Sequence, residues 1–253
     1  MAARGFFCRR SFFSAIKFSA FSLILLVGFA RAAAAIEIYD TGAFLHSPTI
    51  GTSSLGYLDG VVNDFDGSGV ALSFSKNIDA SGYGTLQWSF VNNTGKALAN
   101  TWLFGYLDAE IDPDLNSSYN ESGRLVGVDG KGSGDTAADS WEIDEPGFSF
   151  GDIYSNLFGG ALDNTNAVAA GNENDLALAL GFYLGDLFAG DSWLLTLNIS
   201  SFDIGGLAHS DIDSGIEFFF NGTAEVKRAV SVPEPSIIIL MMGGLLTLFI
   251  NRR

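Results

Sequence analysis

Thr85-Leu86-Gln87-Trp88-Ser89-Phe90-Val91 is the stretch that decides the fold. In an extended chain successive side chains point to opposite faces, so Leu86, Trp88 and Phe90 face one way while Thr85, Gln87 and Ser89 face the other. The segment reads as a half-buried strand. Upstream, Leu72 and Phe74 set against Ala71, Ser73 and Ser75 repeat the pattern. Downstream, Trp193, Leu195, Leu197 and Ile199 alternate with Leu194, Thr196, Asn198 and Ser200, and Ile216 to Asn221 is a short apolar and aromatic run. Leu176 to Leu184 also alternates at a period of two; Gly181 and Gly185 weaken the competing helix reading. Thirty-one glycines, with many Asn and Asp, supply the turn residues that an all-β chain needs.

Two connections sharpen this picture. Asn92-Asn93-Thr94-Gly95 leads from the Trp88 strand into a strand over Ala99 to Glu110, and Ala189-Gly190-Asp191-Ser192 leads into the Trp193 strand. A strand ending in Val-Asn-Asn-Thr-Gly, a strand ending near Asp108 and a later Gly-Asp-Ser turn before Leu-Leu-Thr-Leu are similar to Ig-like β-sandwich repeats of bacterial surfaces, over about a third of the domain. The stretch between Asp112 and Asn166 departs from that pattern, being far longer than a sandwich connection should be. It contains Trp141-Glu142-Ile143 and Gly147-Phe148-Ser149-Phe150, so it is expected to fold as extra strands or as a structured, acidic insertion near residues 112–166.

The two ends speak of delivery. Arg4, Arg9, Arg10 and Lys17 precede the apolar stretch Phe18 to Ala30, which leads to the small residues Ala32 to Ala35, the layout of a secretory signal peptide over residues 1–35. Cys8 lies before the apolar stretch and is lost with it, so the exported part has no cysteine for a disulfide, a thiolate zinc site or a nucleophile. At the other end Val232-Pro233-Glu234-Pro235 precedes the apolar run 236–250 and then Asn251-Arg252-Arg253. Ile237 to Ile250 spans about 21 Å as a helix against a hydrocarbon core of about 30 Å; a start at the prolines and snorkelling of the arginines extend it. The terminal arginines place that end in the cytoplasm by the positive-inside rule. An ordinary permanent anchor is the plain alternative. The complete order of box, span and double arginine closely resembles the PEP-CTERM sorting tail of bacterial envelope proteins. The resemblance covers residues 230–253 and implies recognition of Val232, Pro233, Glu234 and Pro235 by an exosortase, a membrane cysteine protease.

Of the 29 acids only Glu234 lies beyond Arg228. Residues 36–229 thus hold 28 carboxylates against six bases, a formal charge of −22 where the whole chain carries −16. Such a field repels nucleic acid and anionic lipid and favours cations. About 195 residues suffice for one sizeable core, so one domain is expected.

Chemistry must be sought among carboxylates. His46 and His209 stand in no nucleophile or metal motif and read as core or surface residues. No Gly-x-Ser-x-Gly elbow, phosphate loop or His-Glu-x-x-His helix occurs, which disfavours nucleotide and zinc enzymes. The carboxylate clusters are Asp64-Phe65-Asp66-Gly67, Asp108 to Asn120, Asp129 to Asp144 and Asp211-Ile212-Asp213. Acids at i and i+2 near a glycine suggest calcium, which takes six to eight hard oxygens. Asp112, Asp114 and Asn116 begin like an EF-hand loop, but Ser117 replaces the required glycine and Gly123 the bidentate acid. Asp64 and Asp66 fit a short calcium turn better, although Asp-Gly is also an ordinary hairpin signal. Asp108, Glu110 and Asp112 could share one strand face, a spacing that permits acid–base work on a glycosidic bond without being diagnostic of it. Trp102, Phe104 and Tyr106 form an alternating stripe on the same strand; exposed, Trp102 and Tyr106 would stack on sugar rings, and buried, they are core.

The expected molecule is an all-β, antiparallel β-sandwich, Ig-like or jelly-roll-like, over residues 36–229, flanked by a signal helix and a C-terminal transmembrane helix. The PEP-CTERM resemblance implies association with the envelope and extracellular polysaccharide, hence a non-catalytic surface or matrix protein. A Ca²⁺-assisted carbohydrate-binding module and a glycoside-active enzyme are the alternatives.

Overall fold

The computed structural model describes residues 36–58, 61–62, 69–126, 138–147 and 150–229. The signal segment 1–35, the sorting tail 230–253 with its apolar run 236–250, and Asp64 and Asp66 lie outside the described residues. Among the described residues no helix is long and apolar enough to cross a membrane.

In chain order the strands are β1 (Ile36–Ser47), β2 (Gly51–Leu58), β3 (Val61–Val62), β4 (Val70–Ile78), β5 (Gly84–Asn92), β6 (Leu98–Ile111), β7 (Glu121–Val126), β8 (Ser140–Asp144), β9 (Ala177–Leu187), β10 (Ser192–Ser200), β11 (Gly206–Asp211) and β12 (Glu217–Lys227), with one helix, α1 (Ile153–Gly159), between β8 and β9. They form two six-stranded sheets, ordered β3-β2-β1-β6-β9-β8 and β4-β5-β10-β12-β11-β7, in which every neighbouring pair is antiparallel. The insertion after Asp112 supplies one edge strand to each sheet, β7 and β8, together with α1. Trp141-Glu142-Ile143 lies in β8, an extra strand of the kind expected there; the helix was not expected.

The alternation in β5 is realised: Leu86, Trp88 and Phe90 are buried, and β10 opposite them contributes Trp193, Leu195, Leu197 and Ile199. These side chains meet Leu103 and Leu107 of β6 and Leu178, Leu180 and Phe182 of β9 in one core between the sheets. Phe90 stacks on Trp193 with ring centres 5.5 Å apart. Burying each such side chain contributes about 1.5–3 kcal/mol. The sheets approach closely at Gly105, where an added Cβ would lie 2.6 Å from Leu197 Cδ2. No larger residue fits there without moving the core.

The two turns read from sequence both carry the chain from one sheet to the other, and they lock together: Gly190 N–H donates to Asn92 O (2.8 Å) and Asn92 N–H to Asp191 O (2.9 Å). On the outer side of the first sheet, Ile153 and Leu157 of α1 pack on Phe44, Phe104, Tyr106, Ala177 and Ala179. The helix ends at Gly160, whose left-handed φ of 77° and contact with the His46 ring both exclude a side chain.

Candidate functional site

Along β6, Leu103, Leu107, Ala109 and Ile111 enter the core between the sheets, so alternation sends Trp102, Phe104, Tyr106, Asp108 and Glu110 to the other side. That outer stripe begins aromatic and ends acidic. Its aromatic part is largely covered: Phe104 and Tyr106 are buried beneath α1, and the Tyr106 ring lies 4.9 Å from that of Tyr154. The Tyr106 hydroxyl donates to Pro146 O at 3.3 Å, and the Tyr154 hydroxyl to Asp40 Oδ2 at 2.5 Å. Tyr106 is therefore core and cannot stack on a surface ligand, because the unexpected helix covers it. Trp102 remains half-buried, stacked on Phe104 and 5.2 Å from the exposed Tyr183 ring.

At the acidic end, Asp108 and Glu110 are joined by Asp175 from the loop before β9, and carboxylate oxygens of all three lie within 4.8 Å of one another. Antiparallel pairing explains the meeting: Asp108 is level with Ala177, which puts the residues just before β9 beside the end of β6. The three acids line an open cleft of about 390 Å³ together with Tyr39, Pro113 and Asn116. A smaller hollow of about 210 Å³ adjoins it, shares Asp175 and is bordered by the exposed rings of Tyr119 and Phe150.

The second sheet brings further groups against Glu110. Glu121 of β7 is directly opposite Asp211 of β11, with His209 two residues away, and each of these side chains is almost wholly buried. The Glu121 and Glu110 carboxyls are within hydrogen-bonding reach of each other. Glu121 Oε1 lies 2.9 Å from His209 Nε2, off the line that an N–H···O bond requires, and Glu121 Oε2 has no partner. Asp211 Oδ1 accepts the Ser214 N–H, whereas its Oδ2 and Oδ1 of Asp175 are buried without a partner.

The electrostatics follow from burial without counter-charge. Burial, then the charges of Asp175, Glu110 and Asp40, pushes Asp108 up to about 7. Burial and the neighbouring Glu121 push Glu110 up to about 8, and burial pushes Glu121 up to about 9 although its contact with Glu110 acts the other way. Burial also drives His209 down to about 4 against the pull of Glu110, Asp211 and Asp175. At neutral pH the histidine is thus neutral and balances none of these acids. Among the described residues lining the cleft there is no lysine or arginine. Such a group either shares protons or accepts a hard cation, and oxygens within 4.8 Å of one another are close enough to share one ion with bonds of about 2.4 Å, the calcium distance.

The acids read from sequence as calcium ligands are placed differently. Asp112, with φ 48°, opens the turn after β6, its carbonyl accepting the N–H groups of Leu115 and Asn116. That turn forms the rim of the cleft, but neither Asp112 nor Asp114 belongs to the converging group. The pair that converges is Asp108 and Glu110, read in sequence as part of the Asp108 to Asn120 cluster and, with Asp112, as a possible acid–base set. Asp175 and Glu121 were not singled out at all.

Fold and cleft together define the class: an all-β protein of two antiparallel sheets with an acid-lined cleft at the end of β6, backed by buried polar groups of the second sheet. No protein-family model, no curated protein and no solved structure matches the chain.

Proposed function

We propose that this chain is an exported, non-catalytic surface or matrix protein that holds Ca²⁺ between Asp108, Glu110 and Asp175 and uses it to bind extracellular polysaccharide. The observation that carries the reading is the convergence of these acids in an open cleft with a buried, partnerless Glu121 oxygen behind them and, among the described residues lining it, no lysine or arginine to balance them. A cation so held keeps part of its coordination shell toward the cleft, where saccharide oxygens complete it. The exposed rings of Tyr39 and Tyr119 offer apolar stacking faces at the cleft and at the adjoining hollow, and Trp102 offers a third further along β6.

Delivery belongs to the same proposal and rests on sequence alone. The signal-like segment 1–35 and the PEP-CTERM-like tail imply export, an anchor in the cytoplasmic membrane through residues 236–250, and processing by an exosortase near Val232 to Pro235, with Arg252 and Arg253 inside. The finer fold assignment, Ig-like or jelly-roll-like, is likewise part of the proposal, supported by the repeated crossings between the sheets.

Cosedimentation of the purified protein with the producing organism's extracellular polysaccharide at fixed salt tests the binding role. Saturable pelleting in Ca²⁺ that disappears with chelator and in Asp108→Asn/Glu110→Gln is expected; equal pelleting in all conditions, or none in any, contradicts it. The triple change Pro233→Ala/Glu234→Ala/Pro235→Ala should abolish processing and display, and unaltered display would remove the sorting assignment.

A further inference from the structure

A second group of acids lies elsewhere on the outer side of the first sheet. Across that sheet Tyr106, Ala179 and Glu142 are level with one another, and one step along lie Asp108, Ala177 and Asp144. The small side chains of Ala177 and Ala179 leave room for α1 to rest on the sheet, which brings the two ends of the helix segment toward β8. Asp152 precedes α1 and Asp163 follows it; with Glu142 of β8 they place carboxylate oxygens within 4.8 Å of one another. The two acidic groups have no residue in common.

The independent sign of a ligand is Glu142 itself. It is 0 % exposed; its Oε1 accepts the Asn156 side-chain N–H at 2.9 Å, while its Oε2 is buried with no partner. An ionised oxygen in that position is costly unless something positive meets it. Asn156 is the donor that two members of the group have in common, reaching Asp152 Oδ1 at 3.2 Å as well. Asp152 makes no side-chain cap on α1, although it occupies the capping position where aspartate ordinarily does so. Asp163 uses Oδ1 for the N–H and hydroxyl of Thr165, which leaves Oδ2 for another task. Asp144 Oδ2, in turn, accepts the Asp152 N–H at 2.6 Å and fixes the backbone from which the Asp152 side chain projects.

We propose that Glu142, Asp152 and Asp163 form a second divalent-cation site, for Ca²⁺ or a similar hard ion, that fastens α1 to the first sheet. All three donors are carboxylate oxygens, which excludes a preference for soft metals, and they lie close enough together to share one ion with bonds of about 2.4 Å. The ligands come from β8 and from both sides of α1, so the ion ties the helix down at its two ends. The helix covers Phe104 and Tyr106, and the ion therefore holds the cover of the outer face in place. This inference does not depend on the cleft or on saccharide binding.

Calorimetric titration of the purified protein with Ca²⁺ tests it, alongside hydrogen exchange of the α1 amides. The parent should bind two ions, and Ca²⁺ should slow exchange at Ile153–Gly159. Glu142→Gln should weaken one ion about ten-fold or more and abolish the Ca²⁺-dependent protection, while Asp108→Asn/Glu110→Gln should lose the other ion and keep the protection. Asp163→Asn, at an exposed position, must reproduce the Glu142→Gln result and decides the matter if the buried change impairs folding. The proposal is overturned if Asp163→Asn leaves both affinities and the protection unchanged. Loss of one ion in Asp108→Asn/Glu110→Gln alone, with no second ion in the parent, would likewise end it while leaving the cleft intact.

Discussion

Asp191, between β9 and β10, and Glu121, behind the cleft, are both buried acids, 2 % and 1 % exposed, and the fold treats them in opposite ways. Asp191 accepts N–H bonds from Phe188 (2.9 Å) and Ala229 (2.8 Å) and is paired with Arg228 at 2.6 Å. Burial alone would raise its pKa, but these donors outweigh burial and hold it below the ordinary carboxylate range. The neighbouring Asn92 is equally well served, bonding Lys96 O, Leu187 O and Thr94. Glu121 and its neighbours Glu110 and Asp108 have no such donors and are pushed upward. Arg228 is placed where a carboxylate is structural, and among the described residues lining the cleft there is no lysine or arginine. What the cleft lacks must come from solution, as protons or as a metal ion.

The largest expected effect lies at the structural acid. Asp191→Ala orphans the Phe188 and Ala229 donors and should cost about 3 kcal/mol, a fall in Tm of about 6–12 °C, equally with Ca²⁺ and with chelator. A change that depended on Ca²⁺ would blur the distinction between the two regions. The reverse sign is expected at the cleft. Glu121→Gln removes an acid that must take up a proton to stay buried, so in chelator at pH 7 it should stabilise by about 1–2 kcal/mol, read from urea unfolding, and should reduce the gain from Ca²⁺.

The pH dependence without metal follows the same logic. Asp108, Glu110 and Glu121 have folded pKa values of about 7, 8 and 9, above their unfolded values, so the folded state binds more protons in that window. Their contribution is complete below about pH 4 and is lost as pH rises through 7 to 9. His209 acts oppositely: with a folded pKa of about 4 and an unfolded value of 6.5, its contribution is present above pH 6.5 and is lost as pH falls toward 4. In chelator Tm should therefore decline from pH 6.5 to 9, and Ca²⁺ should flatten that decline; a rise across this range without metal would contradict the electrostatics described. The smallest effect belongs to the pair on the outside of β7. Arg124 and Glu217 meet at 2.9 Å on the surface, and Arg124→Ala should change stability by less than about 1 kcal/mol and leave Ca²⁺ affinity unaltered in calorimetric titration.

Legibility in the sequence divides along similar lines. β5 and β10 were readable because each has one face in the core and one toward solvent, which writes a period of two into the residues. The turns at Asn92 and Gly190 were readable from their composition. β1 was not, since Thr41 to Leu45 are buried on both faces between β2 and β6 and Asp40-Thr41-Gly42 resembles a turn. β11 was missed for the same reason, being short and almost continuously buried. The seven residues of α1 give a helical pattern too brief to recognise. At the cleft, the i, i+2 spacing of Asp108 and Glu110 was visible, but Asp175 joins them only through the pairing of β6 with β9. Glu121 meets His209 and Asp211 only through the register of β7 on β11. Local sequence does not encode that register.

Diffraction from crystals of the protein grown or soaked in Ca²⁺, recorded at a wavelength where calcium scatters anomalously, tests the central claim most directly. The account predicts an anomalous peak in the cleft with oxygens of Asp108, Glu110 and Asp175 at about 2.3–2.6 Å. A cleft filled by water alone at saturating Ca²⁺, with those carboxyls bonded to one another, would contradict it.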